Sequence, residues 1–340
     1  MPERIGKHTI HFTTRPSIIG YAAAVGKKES EGPLSKYFDL AFMDEFCGEE
    51  TFEKAETHLQ KSAIEEAIKK SPVNKSDIQL AFAGDLLNQC IGTSFGMRSL
   101  KFSFAGLYGA CSTMALSMAM AGVFADSGSA DNIVAAASSH FCSAERQYRM
   151  PLEYGGQRSP AAQWTVTGAG CTVIGAHREN TPVIESAIIG SVRDLGIKDP
   201  NNMGAAMAPA ACETIFRFLS DTDTAPTDYD MILTGDLGST GSSLLIELMK
   251  SEHGIDISPV HNDCGKMIYY NQKQDVHSGG SGCGCSASVL CSYILQRMEK
   301  GELNRVLFVG TGALLSPTSS LQKESTPGIA HGVLITNERN

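Results

Sequence analysis

An excess of positive charge is the first thing this 340-residue sequence lacks. Lys and Arg number 28 against 37 Asp and Glu, a formal net charge of −9. Nucleic-acid binding rests on clustered basic residues facing phosphates, so that class is excluded. The same balance offers no long-range steering to an anionic ligand, which must be held by local contacts. Disulfide and zinc signatures are missing too. Ten cysteines are present, but they follow no scaffold spacing, and Cys90, Cys142, Cys171 and Cys291 sit in apolar runs. Reduced thiols are the expectation. Cys264, Cys283 and Cys285 lack the paired C-x-x-C spacing of a zinc site, so no metal or other cofactor is expected. The opening MPERIGKHTIHF has no apolar core of the kind a signal peptide carries.

Phe102–Ala125 contains no charged residue and is long enough to cross a bilayer. It is crowded with Gly, Ala, Ser and Thr and broken at GLYGACS, so a helix buried in a protein core fits better than a membrane span. At 340 residues the chain exceeds the usual reach of one hydrophobic core, and two core units are expected.

The sequence repeats itself. SDIQLAFAGDLLNQ (76–89) and TDYDMILTGDLGST (227–240) share an Asp, an apolar run and then GDL. GACSTMALSMAMAG (109–122) answers to GCSASVLCSYILQR (284–297), ADNIVAAASS (130–139) to LNRVLFVGTG (303–312), and TGAGCTVIGA (167–176) to IAHGVLIT (329–336). Four matches in one order divide the chain into halves of residues 1–180 and 181–340. Glu49–Lys70 is an amphipathic helix with Phe52, Ala55, His58, Leu59, Ala63, Ala67 and Ile68 at helical spacing. The strands AFAG, IVAAA and VLFVG are apolar throughout, as in sheets covered on both faces. The helices Ser112–Ala125 and Ser286–Met298 are apolar on too many sides for a surface. They belong between two sheets, which gives an α/β fold with five layers, α-β-α-β-α.

A duplicated half with Cys111 in a Gly-Ala-Cys-Ser turn entering a central helix resembles the thiolase superfamily, which includes thiolases and ketoacyl synthases. Within it, EGPLSKYFD (31–39), AGDLLNQ (83–89), GACSTM (109–114), YDMILTGDL (229–237), HNDCG (261–265) and TGALLSPT (311–318) are similar to the stage V sporulation protein AD family, end to end. The resemblance implies binding of dipicolinic acid (pyridine-2,6-dicarboxylate), free or as its calcium chelate, for uptake into the developing spore. It also implies a cytoplasmic protein held at the spore inner membrane by other stage V sporulation A proteins, and a homodimer formed through Asn132–Ser138.

Cys111 at a helix start is placed for a lowered thiol pKa, with Ser112 and Thr113 offering N–H groups to an oxyanion or carboxylate. The superfamily supplies a His or Asn from the second Gly-rich loop, and often a His from the loop after the first strand of that half. Here those loops read GGSGCGCS (279–286) and TGDLGST (234–240), with Ser281 at the first position and no His in either. Catalysis is therefore expected to be lost. The alternative is a Cys-dependent acyltransferase of the ketoacyl synthase III type, acting on acyl thioesters with His261 as base; His277 is a weaker substitute. A dianion asks for donors at two ends, and bidentate Arg suits a carboxylate. The candidates are His261, His140, Arg146 and Arg149, with Asp85, Asn88 and Gln89 as polar contacts beyond the first strand.

Overall fold

The computed structural model describes residues 1–149 and 158–337, with the Arg149 side chain outside that description. The first half contains β1 (Ser17–Gly26), α1 (Phe52–Lys70), β2 (Leu80–Gly84), α2 (Ile91–Leu100), β3 (Phe104–Gly106), α3 (Thr113–Asp126), β4 (Ile133–Ser139), α4 (Phe141–Arg149) and β5 (Gly168–Gly175). The second contains β6 (Val183–Ile188), α5 (Met203–Thr222), β7 (Met231–Thr234), α6 (Gly238–His253), β8 (His261–Asp263), α7 beginning at Cys283–Val289, β9 (Arg305–Ala313) and β10 (Gly328–Thr336). α7 continues through a π-helical turn, Leu290–Ile294, and ends in Leu295–Glu299.

Strand order is β3-β2-β4-β5-β1 in the first sheet and β8-β7-β9-β10-β6 in the second. Directions repeat as well. The first three strands of each are parallel, and the last two run antiparallel to their neighbours. The sheets touch edge to edge through the single pair Val183 and Ser17.

The layers follow from which faces are apolar. Thr51 caps α1, its hydroxyl accepting from the Lys54 N–H, and Ala55, Leu59, Ala63 and Ala67 turn inward onto β1 and β5. α5 and α6 cover the outer face of the second sheet. α3 touches β2 and β4 on one side and β9 and β10 on the other, so its lack of a polar face is required by position. Met114 and Met118 of α3 are fully buried in one cluster with Ala287 and Val289 of α7. Each such burial contributes about 1.5–3 kcal/mol for a side chain of Met, Leu or Ile size. Close approach needs glycine at Gly170 on β5, where a Cβ would stand 2.2 Å from the Ala287 carbonyl oxygen. Three apolar clusters, one central and two outer, complete the five-layer sandwich.

One expectation holds and one changes. No helix among the described residues is long and apolar enough to cross a membrane; the uncharged stretch is divided between β3, a turn and α3. The strand proposed as a dimer edge, Asn132–Ser138, is interior: β4 is hydrogen-bonded to β2 on one side and β5 on the other. The outer strand of that sheet is β3.

Candidate functional site

The turn before α3 is wound tightly. Ala110 adopts φ 49°, uncommon for a residue with a Cβ. The Ser112 hydroxyl donates to the Gly109 carbonyl at 2.6 Å, the Thr113 hydroxyl to the Ala110 carbonyl at 2.7 Å, and the Gly109 N–H to the Thr113 hydroxyl at 3.1 Å. Ser112 and Thr113 thus hold the turn, and their own N–H groups are spent on Gly109 at 3.0 Å and Ala110 at 3.3 Å. They are not free for a ligand carboxylate, which corrects the sequence expectation.

Cys111, 5% exposed, is carried at the top of this turn. Its thiol lies close enough to the Asp236 carboxyl, the Ser281 hydroxyl and the Gly282 N–H for each to act on its pKa. Asp236 is fully buried. It accepts from Gly282 N–H at 2.8 Å, from the Ser281 hydroxyl at 3.2 Å and from the Thr311 hydroxyl at 2.8 Å. Burial lifts its pKa to about 6 against those bonds, leaving it mostly ionised at neutral pH. The Cys111 pKa is pushed well above its ordinary value, first by burial and then by this carboxylate. A helix terminus offers about 0.3–1 kcal/mol toward a thiolate. Burial opposes the thiolate first, and the charge of the neighbouring Asp236 carboxylate adds to that. Together they outweigh the helix terminus, and Cys111 is held as a thiol.

The pocket in front of Cys111 has a volume of about 40 Å³, room for a few waters. Leu86, Met203, Ala313 and Leu315 make it apolar; Ser281, Thr165, Glu145, Tyr108 and Tyr148 supply the polar atoms. The Tyr108 and Tyr148 hydroxyls are 3.0 Å apart, and Tyr148 donates to the Leu86 carbonyl. No Lys, Arg or His lines this pocket among the described residues.

That lining corrects the remaining candidates. His261 sits on edge strand β8 with its Nε2 2.9 Å from the Thr234 hydroxyl, and burial drives its pKa down to about 4. It lines no part of the Cys111 pocket and is not placed to take the thiol proton. His277 faces Asp275 at 3.2 Å. Arg146 points away along α4 to an ion pair with Glu53, and Arg149's side chain lies outside the described residues. His140 belongs to a second cavity, its Nε2 2.8 Å from the Glu45 carbonyl and its Nδ1 accepting from Cys142 N–H at 3.2 Å. Asp85 is buried and structural, accepting from Leu87 N–H at 2.8 Å and from Thr93 N–H and hydroxyl at 2.7 and 2.6 Å. Asn88 and Gln89 are exposed in a short turn outside the pocket. Cys111 and Ser281 meet as the loop comparison suggests. Asp236 was the residue missed, although it stands in the very loop where the superfamily places a His. Tyr148, with Ala144 at helical spacing, was missed because HFCSAERQYR reads as irregular and folds as α4.

At pH 7, Cys111 is expected to react with iodoacetamide far more slowly than a free thiol, and Asp236→Asn to speed it by removing the opposing charge. Mass mapping of alkylated Cys111 checks both; rapid labelling of the unsubstituted protein would contradict the assignment. A second expectation concerns stability. Glu56 is held well above the carboxyl range by burial and by Asp85, while burial lifts Glu29 and Asp263 to about 7. The folded chain keeps these protons longer than the unfolded one, so stability present at low pH is lost as pH rises through the folded values. His261 and His331, lowered to about 4, act oppositely, but only below their ordinary value of 6.5. Thermal melts should therefore show a falling Tm between pH 6.5 and 8, at most about 1.4 kcal/mol per pH unit for each such group. Glu56→Gln should flatten the fall.

Comparison with known proteins fits this geometry. A relative from Bacillus subtilis (strain 168), stage V sporulation protein AD, is 45% identical over 329 residues, covering 97% of this chain and 96% of its own. Among solved structures, 3-oxoacyl-[acyl-carrier-protein] synthase III from Aquifex aeolicus VF5 superposes with a TM-score of 0.57 at 12% identity, over 94% of this chain and 99% of its own. Cerulenin-bound OleA from Xanthomonas campestris gives 0.62 at 13% identity, over 96% and 99%. These two show a shared thiolase-like fold. The family model for stage V sporulation protein AD (SpoVAD) matches residues 6–336. With that match and the 45% relative, the chain belongs to the stage V sporulation protein AD family.

Proposed function

We propose that the Cys111 pocket binds dipicolinate without performing acyl transfer. The observation that carries this is the replacement of the superfamily's His and Asn by Asp236 and Ser281, both turned toward a thiol that burial and Asp236 keep protonated. Acyl transfer needs the thiolate and a base that takes its proton; a carboxyl with a pKa of about 6 is a poor acceptor from this sulfur. No observation favours the acyltransferase reading with His261, which is bonded to Thr234 instead.

The ligand is the one the family resemblance implies, and the pocket's charge selects its form. Glu145 and the buried Asp236 would each oppose a free dianion. The calcium chelate carries no net charge, and its metal suits carboxylate oxygen such as that of Glu145. Entry of a ring requires Tyr108, 46% exposed, to leave Tyr148. The protein acts in dipicolinate uptake with other stage V sporulation A proteins at the spore inner membrane. It is a homodimer paired through the outer strand β3.

Calorimetry with dipicolinate should give tighter binding with calcium than without. Cys111→Phe should abolish it with an unchanged melt, and Cys111→Ala should cost about 1 kcal/mol for one polar contact. Full binding by Cys111→Phe, or turnover of acyl-CoA by the unsubstituted protein, would overturn the reading. Sedimentation should return 72.4 kDa, twice the 36.2 kDa chain mass, and Gly106→Pro on β3 should shift it toward monomer; a monomeric unsubstituted protein would sink the dimer.

A further inference from the structure

α4 and the short strand Trp164–Thr165 each have two sides, and the Cys111 pocket uses only one. Ala144, Glu145, Tyr148 and Thr165 face Cys111, while His140, Phe141, Cys142 and Trp164 line a separate cavity of about 150 Å³. That is several times the volume in front of Cys111, and a cavity near this size admits a single aromatic ring.

Its lining is mixed in charge, Lys27 and Lys28 with Glu29, Glu31 and Glu45, but two cations gather over its aromatic wall. Trp164 is stacked on Phe141, ring centroids 3.9 Å apart and planes 7° from parallel. The Lys28 Nζ stands 3.6 Å from the Trp164 ring centroid, and the Arg158 guanidinium lies over the same ring at 4.9 Å. Phe141 covers one face of the indole, so both cations crowd the other. Arg158 meets Asp275 through Nη2, but its buried Nη1 has no hydrogen-bond partner, and Lys28 has no ion-pair partner among the described residues. Two like charges brought together with unspent donors repel each other, and an anion between them reverses that balance.

A third group points the same way. The Glu29 side chain, 1% exposed, lines the cavity. Its Oε1 accepts from Thr167 N–H at 3.1 Å and from the Tyr269 hydroxyl, whereas its buried Oε2 has no partner. A carboxyl so enclosed is half protonated near neutral pH, with a pKa lifted to about 7 by burial, and in that form donates to a carboxylate. The carboxylates of Glu31 and Glu45 stand at the exposed rim, where solvent screens them.

We propose that this cavity is a second ligand site, separate from the Cys111 pocket, which takes a small single-ring carboxylate. Its carboxylate is held by Lys28, which lines the cavity, with Arg158 reaching over the same indole from beyond the lining, and its ring lies against the edges of Phe141 and Trp164. The proposal does not depend on what occupies the Cys111 pocket.

Trp164 is the only tryptophan in the sequence, so intrinsic tryptophan emission reports this cavity alone. Benzoate is the probe, with inorganic phosphate as comparison. Benzoate should change Trp164 emission saturably, Lys28→Met and Arg158→Gln should each weaken the response at least tenfold, and Cys111→Phe should leave it intact. Melts of all variants control for folding. A flat titration, a Lys28→Met curve matching the unsubstituted protein, or an equal response to phosphate would each overturn the proposal.

Discussion

The Asp236 carboxyl is the point on which both the second half and the site turn. It is fully buried and ties together three separated parts of the chain: Thr311 on β9, Ser281 and Gly282 at the entrance of α7, and Cys111 at the entrance of α3. A buried charge of this kind is tolerated because its lone pairs are filled, and removing it would leave the Gly282 N–H and the Thr311 hydroxyl without their acceptor. The same carboxylate adds to burial in raising the thiol pKa. A helix terminus that would favour a thiolate elsewhere is outweighed here by burial and a neighbouring charge. One residue therefore ties the entrances of the two central helices together and helps hold the cysteine as a thiol.

Asp236 has a twin, and comparing the two shows why one is functional and the other is not. Asp85, in the matching GDL of the first half, spends both oxygens on Leu87 and Thr93 and so closes its own loop. In the second half that job passes to Asp263, which accepts from Leu237 N–H at 2.8 Å and Gly238 N–H at 2.9 Å. Relieved of loop closure, Asp236 turns toward Cys111. A repeat conserves residue types between halves but not their partners. For that reason the shared GDL pointed to Asp85 as a candidate contact and left Asp236 unnamed.

Much of the fold was readable from residues alone. The all-apolar strands required sheets covered twice, and Met114 and Met118 on a helix without a polar face required a middle layer. Lateral order was not readable. β4 would read as the same continuous apolar run whether it lay inside a sheet or at its edge, so only the ladder with β2 and β5 shows that Asn132–Ser138 is closed to a partner. At the site, the turn motif located Cys111 and the Gly-rich loop located Ser281. Arg146 misled because charge type says nothing about direction. Once Phe141–Arg149 is helical, Ala144 and Tyr148 share the inner face, and Arg146 is carried outward to Glu53.

The two cavities differ in whether cations stand beside them, and this follows from their sharing α4 and Trp164–Thr165. Successive residues of a strand point to opposite sides, so Thr165 and Trp164 cannot serve one pocket. The Thr165 side collects Glu145 and Asp236; the Trp164 side collects Lys28 and Arg158. An ionised carboxylate is therefore opposed on the first side unless its charge is cancelled, whereas on the second it meets Lys28, which has no ion-pair partner among the described residues. In a chain with a net charge of −9, long-range attraction contributes nothing to either site. Selectivity between them rests on contacts within a few ångströms. On the readings proposed for the two cavities, a charge-balanced chelate and a free carboxylate would be separated by the two sides of one short strand.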